Sequence, residues 1–192
     1  MTATRLKPAD LIDRYYLPHP LARAILLDHS RQVTRRALNI ARSLCQRGQN
    51  PDLQFIAEAA MLHDIGMIFT DAPDIGCHGE APYLQHGIIG ARLLAELGLP
   101  AHARVCERHT GVGLTAVEIE QADLPLPRRD LLPETLEEKI ICYADLFYSK
   151  NPDELNSVKS IDKVRKKLKG FGRDKVIIFD RWLADFEPED WR

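Results

Sequence analysis

Residues 51 to 66 read PDLQFIAEAAMLHDIG. Phe55, Ile56, Ala59, Ala60 and His63 recur at the three- and four-residue spacing of one helix face. Pro51 suits the first turn of that helix and Gly66 its stop. His63 follows Ile56 by seven residues, so its imidazole falls on the buried stripe. Asp64 adjoins it at the helix end, where the backbone can turn it towards the same point. An imidazole and a carboxylate pressed into an apolar core are costly unless something pairs with them.

The chain on either side carries the same signature. A helix over about His29–Arg47 places Val33, Ala37, Ile40 and Leu44 on one face, and His29 extends that stripe. A helix over about Leu84–Leu97 carries His86 ahead of Gly90, Leu93 and Leu97. A shorter one, about Ala101–His109, sets His109 four residues after Val105. Thr135 and Glu138 form a T-x-x-E capping box that opens a helix to about Tyr148. Asp145 lies on its inward side, four residues after Ile141. Two further helices are predicted near Asp153–Leu168 and Asp174–Asp185. Phe69–Pro82 and Gly111–Pro133 read as loops, with a helical turn at Thr115–Gln121. Period-2 alternation is scarce, so the expectation is an all-α, single-domain helical bundle over residues 1–192. Its core spans about 25–150, with an N-terminal helix and a C-terminal helical tail.

His29, His63, Asp64, His86, His109 and Asp145 are therefore the candidate ligands. One His-Asp pair is weak in a chain with 7 histidines. The set is stronger, because several imidazoles and two carboxylates converging in one core meet the needs of a divalent metal. A mixed nitrogen and oxygen set suits iron, manganese or zinc better than calcium or magnesium. His19, between Pro18 and Pro20, and His102 do not fit the set. Cys106 reads as a small core residue.

Bulk properties narrow the function classes. A net charge of −2 gives no reason to expect nucleic-acid or membrane binding. The exception is Lys159–Lys169, six basic residues against Asp162, which reads as a solvated helix face ahead of a polyanion-facing patch. The 4 cysteines are far apart and fit reduced thiols. Met1–Asp10 lacks the apolar core of a secretory signal, and no run is long enough to span a membrane. The expectation is a cytoplasmic protein.

Four local words carry a family resemblance: MLHDIG at Met61–Gly66, HGIIGARLL at His86–Leu94, ERHTG at Glu107–Gly111 and YADLFYSK at Tyr143–Lys150. In this order the chain resembles the HD (HDIG-type) superfamily of metal-dependent phosphohydrolases. The resemblance implies the HD fold and a metal held by His29, His63, Asp64 and Asp145. His86 and His109 resemble the additions of members that hold two metals, with Asp64 bridging. The cofactors implied are two divalent ions, iron or manganese ahead of zinc, magnesium, nickel or cobalt; one ion would leave His86 and His109 to serve the substrate.

The expected activity is hydrolysis of a phosphoester or phosphoanhydride in a small nucleotide-like substrate by metal-activated water, with Asp64, His86 and His109 as the catalytic set. Arg108 and Lys150 are candidate phosphate contacts. His78 and Glu80, in the loop before His86, are candidate acid, base or substrate contacts. The expected partner is a small phosphorylated molecule and not a nucleic acid, with a homodimer the expected assembly. Two readings compete: a diiron oxygenase of the same superfamily, and a nucleotide-binding HD module without turnover.

Overall fold

The computed structural model describes residues 6–187; the first five residues of the Met1–Asp10 segment lie outside them. The described chain is helical, as its periodicity predicts. It runs through α1 (Pro8–Tyr16), α2 (Pro20–Gln46), α3 (Leu53–Leu62), α4 (His86–Glu96), α5 (Pro100–Arg108), α6 (Ala116–Gln121), α7 (Leu136–Asp145), α8 (Ile161–Lys169) and α9 (Arg173–Phe186). None of these helices is long and apolar enough to cross a membrane.

α2 begins at Pro20, well before the predicted start near His29. Pro20 occupies its first turn, where a missing N–H costs nothing. The buried stripe Ala22, Ile25, Leu26 then runs unbroken into His29 and Val33. α3 opens on Asp52, whose carboxylate accepts from Phe55 N at 2.9 Å. Pro51 therefore lies just ahead of the helix and not inside it.

Three differences from the sequence reading have local causes. First, the Phe69–Pro82 loop contains a small sheet. β1 (Thr70–Ala72) pairs antiparallel with β2 (Cys77–His78) and parallel with β3 (Ala81–Pro82), in the order β2-β1-β3. Strands of two or three residues are too short for alternation to reveal. Second, Thr135 caps α7 by accepting from Glu138 N at 3.1 Å, but Glu138 does not close the box. Its carboxylate accepts from Glu134 N at 2.7 Å and faces Arg108. The complete capping box belongs to α6, between Thr115 and Glu118. Third, the helix predicted over Asp153–Leu168 is confined to α8. Asn151 accepts from Asp153 N, and Ser160 accepts from Lys163 N. Such side-chain bonds compete with helix propagation, leaving a single 3-10 turn at Pro152–Glu154.

Among the described residues two large apolar clusters build most of the core, with a small third around Ile88, Ile119 and Leu131. One joins Val33, Ala37, Ile40 and Leu44 of α2 to α3, α7, α8 and α9. The other joins Ile25 and Leu26 of α2 to α1, the end of α3, α4 and α5. α2 belongs to both, and His29 lies on it between Leu26 and Val33. α4 reaches its position because Gly66 has no side chain. A Cβ there would meet the His86 carbonyl oxygen at 2.2 Å and Gly90 N at 2.4 Å.

Candidate metal centre

The candidate ligands arrive mostly at helix ends. His63 is the C-cap of α3, His109 the C-cap of α5, and Asp145 the last residue of α7. His86 is the first residue of α4. Three helix C-termini, where backbone dipoles leave partial negative charge, thus end at one place, which favours a cation. After His63 the chain breaks into a 3-10 turn, Ile65–Phe69, with Asp64 at its start. Tyr16 of α1 pins that turn: its hydroxyl donates to Ile65 O at 2.9 Å and accepts from Ile68 N at 3.0 Å.

The six side chains converge as the spacing predicts. His29, His63, Asp64 and Asp145 bring one ligand atom each to within 4.8 Å of one another; Asp64, His86 and His109 form a second such group. Asp64 divides between them. Its Oδ2 lies 3.1 Å from His29 Nε2 and 2.9 Å from His63 Nε2, and its Oδ1 lies 3.1 Å from His86 Nε2 and 3.4 Å from His109 Nε2. Asp145 Oδ1 stands 2.9 Å from His29 Nε2. All but Asp145 are buried.

The protons decide what this arrangement can hold. Nδ1 of His63 lies 2.7 Å from Ala60 O, Nδ1 of His109 2.7 Å from Cys106 O, and Nδ1 of His86 2.7 Å from Tyr83 O. A carbonyl oxygen only accepts, so in each ring Nδ1 carries a proton and Nε2 points inward, offering its lone pair whenever the ring is neutral. The carbonyls of Ala60 and Cys106 are among those that a helix end leaves unpaired. Inside, His86 Nε2 and His109 Nε2 are 3.0 Å apart, and His29 Nε2 and His63 Nε2 are 3.3 Å apart. Facing lone pairs at this distance repel unless positive charge lies between them. Both Asp64 oxygens are buried, and neither finds a hydrogen-bond donor in good geometry. The donor set therefore fits divalent cations: inward-facing imidazole nitrogens with their outer protons fixed, around a buried carboxylate whose close ammonium neighbour is Lys150.

The electrostatics agree. Burial alone would raise the Asp64 carboxyl, but His63 and Lys150 hold it well below the usual carboxylate range. Burial works against a charged His63, yet Asp64 and Asp145 push its pKa up to about 10. Burial lowers His109, against the pull of Asp64. Asp64 and Asp145 are thus the negative charges of the centre, and Lys150 and a protonated His63 are their counter-charges in the metal-free chain.

The four expected substrate contacts separate. Lys150 joins the centre, with Nζ 2.7 Å from Asp64 Oδ2. Arg108 does not face the cleft; its guanidinium is committed to Glu134 at 2.9 Å, Glu138 at 3.2 Å and Glu107 at 3.4 Å. His78 and Glu80 are exposed on and beside β2 and do not line the cleft over the centre. Of the residues set aside, His19 occupies the N-cap position of α2 without a side-chain bond to it, His102 is buried 3.4 Å from Glu58, and Cys106 donates to Leu62 O.

That cleft has a volume of about 1250 Å³ and reaches Asp145 and Lys150. Tyr83 lines it and stacks on His86, with ring centroids 4.8 Å apart. The sequence reading passed over Tyr83, although it stands three residues before His86. Lys159, Lys167 and Lys175 also line the cleft; the first two belong to the basic stretch whose sequence favours a solvated face over a polyanion-facing patch.

The HD domain family model matches residues 26–149. Among curated proteins, the chain is 35% identical over 145 residues to an uncharacterized protein of Methanocaldococcus jannaschii, covering 74% of this chain and 77% of the relative. It is 32% identical over 146 residues to a protein of Picrophilus torridus named tRNA (cytidine(56)-2'-O)-methyltransferase, and 28% identical over 166 residues to one of the same name from Thermoplasma volcanium. Those alignments cover 74% and 86% of this chain but 37% and 44% of the relatives, so the chain spans less than half of either longer protein. No solved structure gives a significant match.

Proposed function

The chain belongs to the HD domain family, the superfamily of metal-dependent phosphohydrolases, and from that premise we propose that its buried centre hydrolyses a phosphoester or phosphoanhydride of a small nucleotide-like substrate. One observation carries the reading. Asp64 turns one carboxylate oxygen to His29 and His63 and the other to His86 and His109, and every imidazole Nδ1 except that of His29 is tied to a backbone carbonyl.

On this reading His29, His63, Asp64 and Asp145 would hold one divalent ion, and Asp64, His86 and His109 a second. Iron and manganese suit such a set best, with zinc, magnesium, nickel or cobalt able to enter it. Bound there, such ions acidify water towards neutral pH and neutralise charge on a phosphoryl group. The remaining work falls to the chain. The three fixed Nδ1 protons keep the Nε2 atoms oriented before substrate arrives. Lys150, at the edge of the cleft beside Asp64 Oδ2, supplies a cation to the phosphate oxygens. Tyr83 covers one face of His86 and limits solvent there. The methyl-transfer name of the two longer relatives belongs to proteins of which this chain spans only part, and methyl transfer is not proposed for it.

Protein purified anaerobically, without added metal or chelator, should hold close to two iron or manganese atoms per chain. A screen of phosphomonoesters, phosphodiesters and nucleoside polyphosphates should then release phosphate with the wild type and not with Asp64→Ala. Metal-loaded protein that releases no phosphate but consumes oxygen would replace hydrolysis with oxygenase chemistry. Protein that takes up no metal would leave only a binding role.

A further inference from the structure

The family match ends at residue 149, yet the segment after it forms part of the cleft wall. Lys150, Lys159, Lys167, Phe171 and Lys175 all line the cavity that reaches Asp145. The basic residues of this segment differ in how they are neutralised. Lys163 pairs with Glu154 at 2.8 Å, Arg165 with Asp180 at 2.8 Å, and Lys175 with Glu118 at 2.6 Å. Lys159 and Lys167 form no ion pair among the described residues. Lys159 has one backbone acceptor, Tyr148 O, for its three donors. Asp145 and Glu154 act on Lys159 only from beyond ion-pair distance, and two ammonium groups without a close counter-ion on one concave wall attract anions into it.

Other features of the cleft agree. Its acids are largely spoken for: Glu118 by Lys175, and Asp145 by His29. Asp74 and Asp153 are exposed. The volume, about 1250 Å³, exceeds the roughly 300–1,000 Å³ of common small-molecule sites, so one phosphate at the centre would leave most of it empty. Half-buried Lys159 has its pKa lowered by burial first and then by the nearby charge of Lys167; the two cations are close enough to repel. Such repulsion is relieved by an anion held between them. Phe171, 69 % exposed, offers an apolar face beside them.

We propose that Lys159 and Lys167 form a second anion subsite in the cleft, which binds a second phosphate group of the substrate while the first lies at the His/Asp centre. The inference rests on the reading of that centre as a phosphate site. It makes the segment beyond the family match a determinant of specificity: substrates with two or more phosphates are preferred to monophosphates.

Calorimetric titration of metal-loaded protein with orthophosphate and with inorganic tripolyphosphate tests this without turnover. The ratio of tripolyphosphate to orthophosphate affinity should fall about tenfold or more in Lys159→Gln/Lys167→Gln. It should not change in Lys166→Gln/Lys169→Gln, which removes equal charge from the same segment away from the cleft. Lys167→Gln alone, at an exposed position, keeps the test valid if the double variant folds poorly. An unchanged ratio, or an equal fall in the control variant, overturns the subsite. Competition by a hexose bisphosphate against tripolyphosphate then shows whether the two phosphates are separated or adjacent. The two readings fail separately. A ratio that falls in a protein hydrolysing nothing removes the hydrolase, and hydrolysis with an unchanged ratio removes the subsite.

Discussion

The ammonium of Lys150 stands 2.7 Å from Oδ2 of Asp64, the same oxygen that faces His29 and His63. Burial would lower the Lys150 pKa, but Asp64 raises it well above the ordinary lysine value. A charged lysine is thus held beside the carboxylate that both candidate metal groups share. If its role is to meet phosphate, Lys150→Gln should lower kcat/KM by roughly a hundredfold while metal content stays near that of the wild type. Metal loss with activity per bound ion unchanged would make Lys150 a structural counter-charge instead.

The two halves of the centre should separate by mutation. Asp64→Ala removes the ligand common to both groups and should lose both ions. His109→Ala removes a ligand of one group only and should lose about one of two. Elemental analysis per folded chain, with circular dichroism to confirm retained helix, decides between them. Equal metal content in the two variants would contradict the sharing of Asp64.

Gly66 is needed for close approach. A Cβ at this position would stand 2.2 Å from the His86 carbonyl oxygen, on backbone that cannot rotate away. Gly66→Ala should cost about 3 kcal/mol, which lowers the melting temperature of a chain this size by roughly 6–12 °C. A shift of a degree or less would show that α4 moves aside freely.

His102 makes stability depend on pH away from the centre. Its ring packs edge-on against Phe55, with centroids 4.9 Å apart. Burial lowers its pKa from 6.5, against the opposing pull of Glu58. The folded state therefore resists a proton that the unfolded chain accepts. The contribution of neutral His102 is complete above the unfolded value and is lost as pH falls below it. In metal-stripped protein, denaturant unfolding between about pH 5 and 7 should show a flatter dependence in His102→Gln than in the wild type. Parallel curves would exclude His102 as the source.

Much of the fold and centre was legible because helical spacing fixes which side chains share a face. His63 seven residues after Ile56, and Asp145 four after Ile141, had to face inward if their helices formed. The misses came where local competition or distant contacts decide. Nothing within Asp153–Ser160 announces that Asn151 and Ser160 will divert the backbone. No spacing shows that Arg108, beside His109, will turn to Glu134 and Glu138.

The sequence alone determined a mainly helical chain with six inward candidate ligands in a recognisable order, because periodicity and residue chemistry are local properties. Only the tertiary structure decided that Asp64 gives one oxygen to each ligand group, that Lys150 reaches it, and that Lys159 and Lys167 border the cleft while Lys163 and Arg165 are neutralised. The relations at Lys150 and across Asp64 join elements far apart in the chain. They depend on where packed helices bring their ends, which no short stretch of chain encodes.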